Sequence, residues 1–222
     1  MDSNRKIAII VGVLFIVATV ASVIGGLLIE WIIDSPADLV NVSENENQVI
    51  IGVLLELAWA ASAVGITVLM FPILKKHNES LALGYVGARI FEGFIATVGA
   101  IGGLLLISLS REFVTAGAPV ASYFQASGAL LLAARDWAWW IGPMIVFALS
   151  ALIFNYLLYQ SKLIPRWLSV WGFIGGALLL AEGLVGMFDL TISAYLAAPI
   201  GVQEMVLAAW LIVKGFNSSA IA

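Results

Sequence analysis

The sequence predicts an all-α fold, a polytopic bundle of transmembrane helices. Three observations carry that expectation. Of the 222 residues, 62% are hydrophobic and only 11% charged, with a mean hydropathy of +1.07; soluble domains run at roughly 45–50% and 25%. The apolar residues gather into six long blocks. The basic residues concentrate in alternate connections between those blocks, the pattern that sets membrane topology. Fourteen acids against ten bases exclude a nucleic-acid partner, which would need a basic face. The absence of cysteine removes thiolate metal sites and thiol nucleophiles.

A helix needs about 20 apolar residues to cross the hydrocarbon core, and the stretches 7–33, 49–74, 81–109, 137–159, 167–188 and 190–213 qualify. The whole chain, 1–222, then reads as one integral membrane domain. The first stretch follows Arg5 and Lys6, as in a secretory signal. It is too long for a cleaved apolar region, and Glu30-Trp31 stand where small residues would be needed, so it is read as a retained span. Arg5, Lys6, Lys75, Lys76, Lys162, Arg166 and Lys214 fall on one side. Asp34, Asp38, Glu44, Glu46, Arg111, Glu112 and Asp189 fall on the other. Because basic loops stay inside, the expected topology is six spans with both termini cytoplasmic, in a multi-pass protein of the cell membrane.

One segment does not fit a plain hairpin. After Pro119, residues 120–134 are helical in pattern but cover only about 22 Å. The expectation is an extra short helix, or an outward extension of the fourth span lying over the bundle mouth. Trp137, Trp139 and Trp140 beside it suit the outer headgroup belt, and Trp167 the inner one. Pro72, Pro143 and Pro199 should kink spans two, four and six or cap their end turns. Repeats of small residues such as Gly172 and Gly176 are expected by chance in so glycine-rich a chain.

Ionisable residues inside the spans are the informative ones. Each costs roughly 2.5–3.5 kcal/mol at a helix centre on insertion scales, so each should face the bundle interior. Glu56 lies on span two, Arg89 and Glu92 on span three, Glu182 on span five, and Glu204 on span six beside the uncharged but polar Gln203; Arg135 and Asp136 open span four. At about 1.5 Å per residue, Glu92 and Glu204 lie deep and Glu56 in the outer half. A cavity among these charges should therefore open outward. Tyr85, Arg89, Glu92, Ala96, Gly99 and Gly103 recur at helical spacing, so a charged end runs into a small-residue seam. Arg89 can pair with Glu92 three residues on. The deep set then holds one arginine against Glu56, Glu92 and Glu204, with Arg135 largely cancelled by Asp136. A surplus carboxylate must be solvated, protonated or met by an outside cation.

The candidate ligand or ion-binding residues are therefore Glu56, Arg89, Glu92, Asp136, Gln203 and Glu204, with a proton or a small cation as ligand and the lipid bilayer as surroundings. Two other readings stay open. The charges can form a static network that locks the helices or supports a protein partner, or the chain can be an intramembrane enzyme acting on a lipid. The single histidine, His77, lies in a basic loop, so a Ser-His-Asp triad or histidine zinc site within the bundle is excluded. No catalytic residue, metal site or cofactor is assigned, and no glycine run matches a phosphate loop. Trp59 and Trp210 lie deep enough to line an aromatic wall beside a cation.

The stretches SENENQVIIGVLLEL (43–57), HNESLALGYVGARIFE (77–92), SYFQASGALLLAARDWAW (122–139), PRWLSVWGFIGG (165–176) and PIGVQEMVLAAWLIVKGF (199–216) resemble the bacterial domain-of-unknown-function family 4386. They run through nearly the whole chain in order. The resemblance implies a small multi-span membrane protein and carries over no reaction, substrate or partner. Members of that family often have histidine where Arg135 stands, so the resemblance gives Arg135 no fixed role.

Overall fold

A computed structural model describes residues 3–33, 39–118, 123–188, 190 and 195–220. Asp34, Asp38, Pro119 and Asp189 lie outside the described residues. All regular structure among the described residues is helical: α1 (Ser3–Glu30), α2 (Leu39–Glu44), α3 (Glu46–Leu74), α4 (Glu79–Thr115), α5 (Tyr123–Trp139), a π-helical segment (Trp140–Val146), α6 (Phe147–Ser161), α7 (Arg166–Gly186) and α8 (Ala198–Val213), with a closing 3₁₀ turn (Ser218–Ala220). Five units are long and apolar enough to cross a bilayer: α1, α3, α4, the continuous rod of residues 123–161, and α7. The protein is a helical membrane bundle.

Among the described residues α1 packs on α3, α3 on α4, α4 on the rod of residues 123–161, the rod on α7 and α7 on α8, and α8 returns to α1, so these six units close into a ring. Close approach of the backbones depends on missing side chains. A Cβ at Gly25 would stand 3.0 Å from the Gly52 carbonyl oxygen, and one at Gly52 3.1 Å from that of Gly25. One end of the ring is a large apolar plug in which Val11, Leu74, Ala82, Leu158, Leu163 and Leu211 meet. The Arg5 guanidinium reaches across this end and donates to the carbonyls of Leu211 (2.9 Å) and Ile212 (2.6 Å). It thereby serves orphan carbonyls at the negative pole of α8. Arg5, Lys75, Lys162, Arg166 and Lys214 all belong to this basic end. At the opposite end α2 lies on α4, where Ser110 Oγ donates to the Leu39 carbonyl, and Arg111 grips Glu46 at 2.7 and 2.8 Å.

Several local readings change. From Tyr123 on, the segment near 120–135 extends the fourth span away from the basic end, but α5 packs along α4 rather than over a mouth, with Phe113 edge-on to Phe124 at 5.4 Å. The two apolar faces bury each other there, which a helix lying flat over water would not achieve. Pro143 neither caps nor ends its helix. It sits inside the π-helical segment, where the wider turn absorbs the clash of its ring with the preceding carbonyl. Pro199 takes the second of its two expected places, in the first turn of α8, where its missing N–H is harmless. α8 therefore covers 16 residues, about 24 Å, and not the whole of 190–213. Trp140 is no headgroup anchor: its indole N–H donates to the Gly183 carbonyl at 2.8 Å and ties the rod to α7.

Candidate functional site

The buried charges divide into two groups that sequence spacing alone does not separate. The first joins α3, α4 and α5. Glu56 takes a bidentate grip from Arg135, with Nη1 to Oε2 at 3.1 Å and Nη2 to Oε1 shorter still. Nη1 also donates to the Gly99 carbonyl at 3.0 Å. The small-residue seam beyond Glu92 makes this possible, since the space above Gly102 and Gly103 is filled by the Arg135 side chain. Arg135 is thus not cancelled by Asp136. The aspartate is exposed on the outer face of α5, and the deep set holds two arginines instead of one. Gln203 also belongs to a lock: buried on α8, its Nε2 donates to Asn155 Oδ1 on α6 (3.3 Å) and to the Leu168 carbonyl on α7 (3.2 Å).

The second group is Arg89, Glu92 and Glu204. Arg89 Nη1 donates to Glu92 Oε2 at 2.8 Å within α4, and both side chains are almost wholly buried. The guanidinium also lies over the Phe147 ring, 4.9 Å from its centroid. The pair leaves capacity unused, because Arg89 Nε and Glu92 Oε1 are buried without a hydrogen-bond partner among the described residues. Glu204 comes from α8 into electrostatic range of both. Among the described residues it forms no ion pair of its own. Fully ionised, this trio carries one positive and two negative charges.

Arg89, Glu92 and Glu204 line a central cavity of about 190 Å³, room for a handful of waters or a small organic ion. Its walls come from every unit of the ring: Phe15 and Thr19 of α1, Trp59 of α3, Trp139 at the end of α5, Leu179 of α7 and Gly201 of α8 are among them. The π-helical turn aims Pro143 and Met144 into the same space. Trp59 and Trp139 stand 6.1 Å apart as one aromatic wall. Trp210, the other deep tryptophan, lines a groove at the basic end instead. Where a Cβ at Gly201 would lie, no described residue comes within 4 Å, so this glycine widens the cavity rather than admitting a neighbouring helix. Below the cavity, Tyr85, Arg89, Asn155, Gln203 and Glu204 border a void of about 10 Å³, about one water in size.

The cavity extends from Glu204 to Ala197 at the start of α8, towards the end opposite the basic residues. The Glu182 carboxyl of α7 lies within reach of the Ala197 backbone, and its Oε2 is buried without a partner among the described residues. Glu182 therefore stands by the rim, at the end of the bundle where its place late in span five puts it. Of the six candidates, the structure brings Arg89, Glu92 and Glu204 together at the cavity. It places Gln203 just below them, engages Glu56 with Arg135, and leaves Asp136 outside. Among the described residues no three His, Asp or Glu side chains gather closely enough to hold a metal.

Neither a curated protein nor a solved structure matches the chain. A family model does, over residues 10–215, which include both charge groups and every helix lining the cavity. The chain belongs to the family described as Domain of unknown function (DUF4386).

Proposed function

We propose that this membrane protein binds and exchanges a proton or a small cation at Glu204, in a cavity that opens to the outside of the cell. The observation that carries the reading is the state of the three deep acids. Glu56 and Glu92 each form an ion pair with an arginine, while Glu204 borders the cavity and forms none among the described residues. A carboxylate in low dielectric without a partner takes up a proton or recruits a cation, and intramembrane acids beside a cavity mark such paths. The aromatic wall suits a cation. Arg89 and Glu92 organise the floor, and their unused Nε and Oε1 can orient a hydrated ligand.

The outward direction follows from the basic end, taken as cytoplasmic, and from helix lengths. α8 ends at that side and is only 16 residues long, whereas α1 has 28. The mouth lies on the short side of the ring. With α8 as a sixth, short span, both described ends are cytoplasmic and the membrane is the plasma membrane.

The test is proton or cation flux into liposomes carrying the purified protein, read by a trapped pH dye and by radiolabelled tetramethylammonium. Wild-type protein should dissipate a gradient, Glu204→Gln should not, and Glu56→Gln should still do so if it folds. Equal flux in wild type and Glu204→Gln, or none in wild type, defeats the reading. A purely structural role has support for the other polar residues, because Glu56–Arg135 and Gln203–Asn155 each tie separate helices together. It does not account for Glu204.

A further inference from the structure

We propose that the basic end of the bundle carries a built site for the phosphate of an anionic phospholipid of the cytoplasmic leaflet. A groove of about 580 Å³ opens there between the α6–α7 connection and the C-terminal end of α8. Among the described residues its charged lining is Lys162, Arg166 and Lys214, with no carboxylate, and its apolar surface includes Trp210 and Phe216. Three cations above an apolar floor match a phosphate headgroup above acyl chains. Basic pockets between helices on the cytoplasmic side are the known form of such recognition. The site lies beyond the central cavity and does not depend on it.

Two further observations separate this groove from the general basic character of that end. Lys162 and Lys214 are exposed and engaged in no ion pair among the described residues, so their charge is available to a ligand. Arg166 stacks on the Tyr159 ring, 4.9 Å from its centroid, which fixes the guanidinium at the edge of the groove. Lys162 also follows α6 with φ +55°, in the left-handed region. Glycine is favoured at such a helix end because it has no Cβ to crowd the carbonyl. A lysine there accepts an unfavourable backbone and brings a cation. Meanwhile Arg5 occupies the last carbonyls of α8, and its charge offsets the helix's negative pole, which would otherwise repel an anion.

The source of the phosphate is a lipid, because the groove pairs its cations with Trp210 and Phe216 in a chain that spans the bilayer. Native mass spectrometry of the full-length protein in neutral detergent tests this with dioleoyl phosphatidylglycerol and dioleoyl phosphatidylcholine as probes. Phosphatidylglycerol should bind more tightly. Lys162→Gln and Lys214→Gln should each weaken it about fivefold, and together about 25-fold, as expected for a lysine facing an anionic lipid. Lys75→Gln, at the same end but outside the groove, should change it by less than about twofold. Thermal midpoints in detergent without added lipid verify that the variants fold, and Lys162→Gly serves as a second neutral variant with a relaxed backbone. Equal binding of the two lipids overturns the proposal. So does full retention of phosphatidylglycerol in the double variant, or a Lys75→Gln loss as large as that of Lys162→Gln. Displacement of phosphatidylglycerol by millimolar inorganic phosphate would mark a soluble-anion site and overturn the lipid assignment.

Discussion

Arg135 and Arg89 show why one buried ion pair is legible in a sequence and another is not. Arg89 and Glu92 are three apart on one helix, and helical geometry alone places them within reach. Arg135 and Glu56 are 79 positions apart. Their meeting depends on how α3, α4 and α5 rotate against one another, which residue spacing does not encode. The misfit acids were therefore visible as buried, but which of them lacked a partner was not. The pairing makes a prediction. Arg135→Leu leaves Glu56 as an uncompensated carboxylate at 8% exposure, and removing one member of a buried pair costs about 3–5 kcal/mol. The loss should be near the lower bound, because the Arg135 side chain retains 16% exposure and solvent screens it. The double variant Glu56→Leu/Arg135→Leu should recover much of that loss. Unfolding midpoints in detergent, arranged as a double-mutant cycle, check it, and additive losses would show that the two residues are not coupled.

Two glycines on neighbouring helices have opposite roles, and that difference belongs to the elements they sit on. Gly172 of α7 faces the Asn155 side chain of α6, directly where a Cβ would be placed. Asn155 is not free to step aside, since its Nδ2 donates to the Ala151 carbonyl and its Oδ1 accepts from Gln203. Gly172→Ala should therefore destabilise the bundle by about 1–3 kcal/mol, the usual range for overpacking. Gly201 of α8 faces the cavity, and Gly201→Leu should leave the unfolding midpoint near that of wild type while abolishing flux. The spacing of Gly172 and Gly176 reads as a chance repeat, and it gives no sign that Gly172 meets a side chain. In a chain with 21 glycines, the pattern carries no information about which glycine meets a side chain. The π-helical turn was equally hidden. Pro143 announced a local break in hydrogen bonding, but the turn that accommodates it is wider than an α-helical one and packs against α4 and α7.

At the scale of the whole molecule, closure of the ring joins the topology to the site. The span pattern and the alternation of basic residues were legible because the bilayer imposes a length and the translocation machinery reads charge. The brevity of α8, which sets where the cavity ends, was not, because 190–213 is apolar throughout most of its length and only Pro199 marks the true helix start. The parity of the spans is directly testable in a chain without cysteine, where one introduced thiol reports one position. Ser219 and Glu112 are exposed near opposite ends of the bundle. With a membrane-impermeant maleimide, Glu112→Cys should label in intact cells, and Ser219→Cys only in inverted vesicles. Labelling in the reverse order would turn the molecule over. The cavity would then open to the cytoplasm, and the basic groove would face the opposite leaflet. Glu204 would keep its place beside Arg89 and Glu92, since that geometry belongs to the fold. Only the compartment that supplies its proton or cation would change.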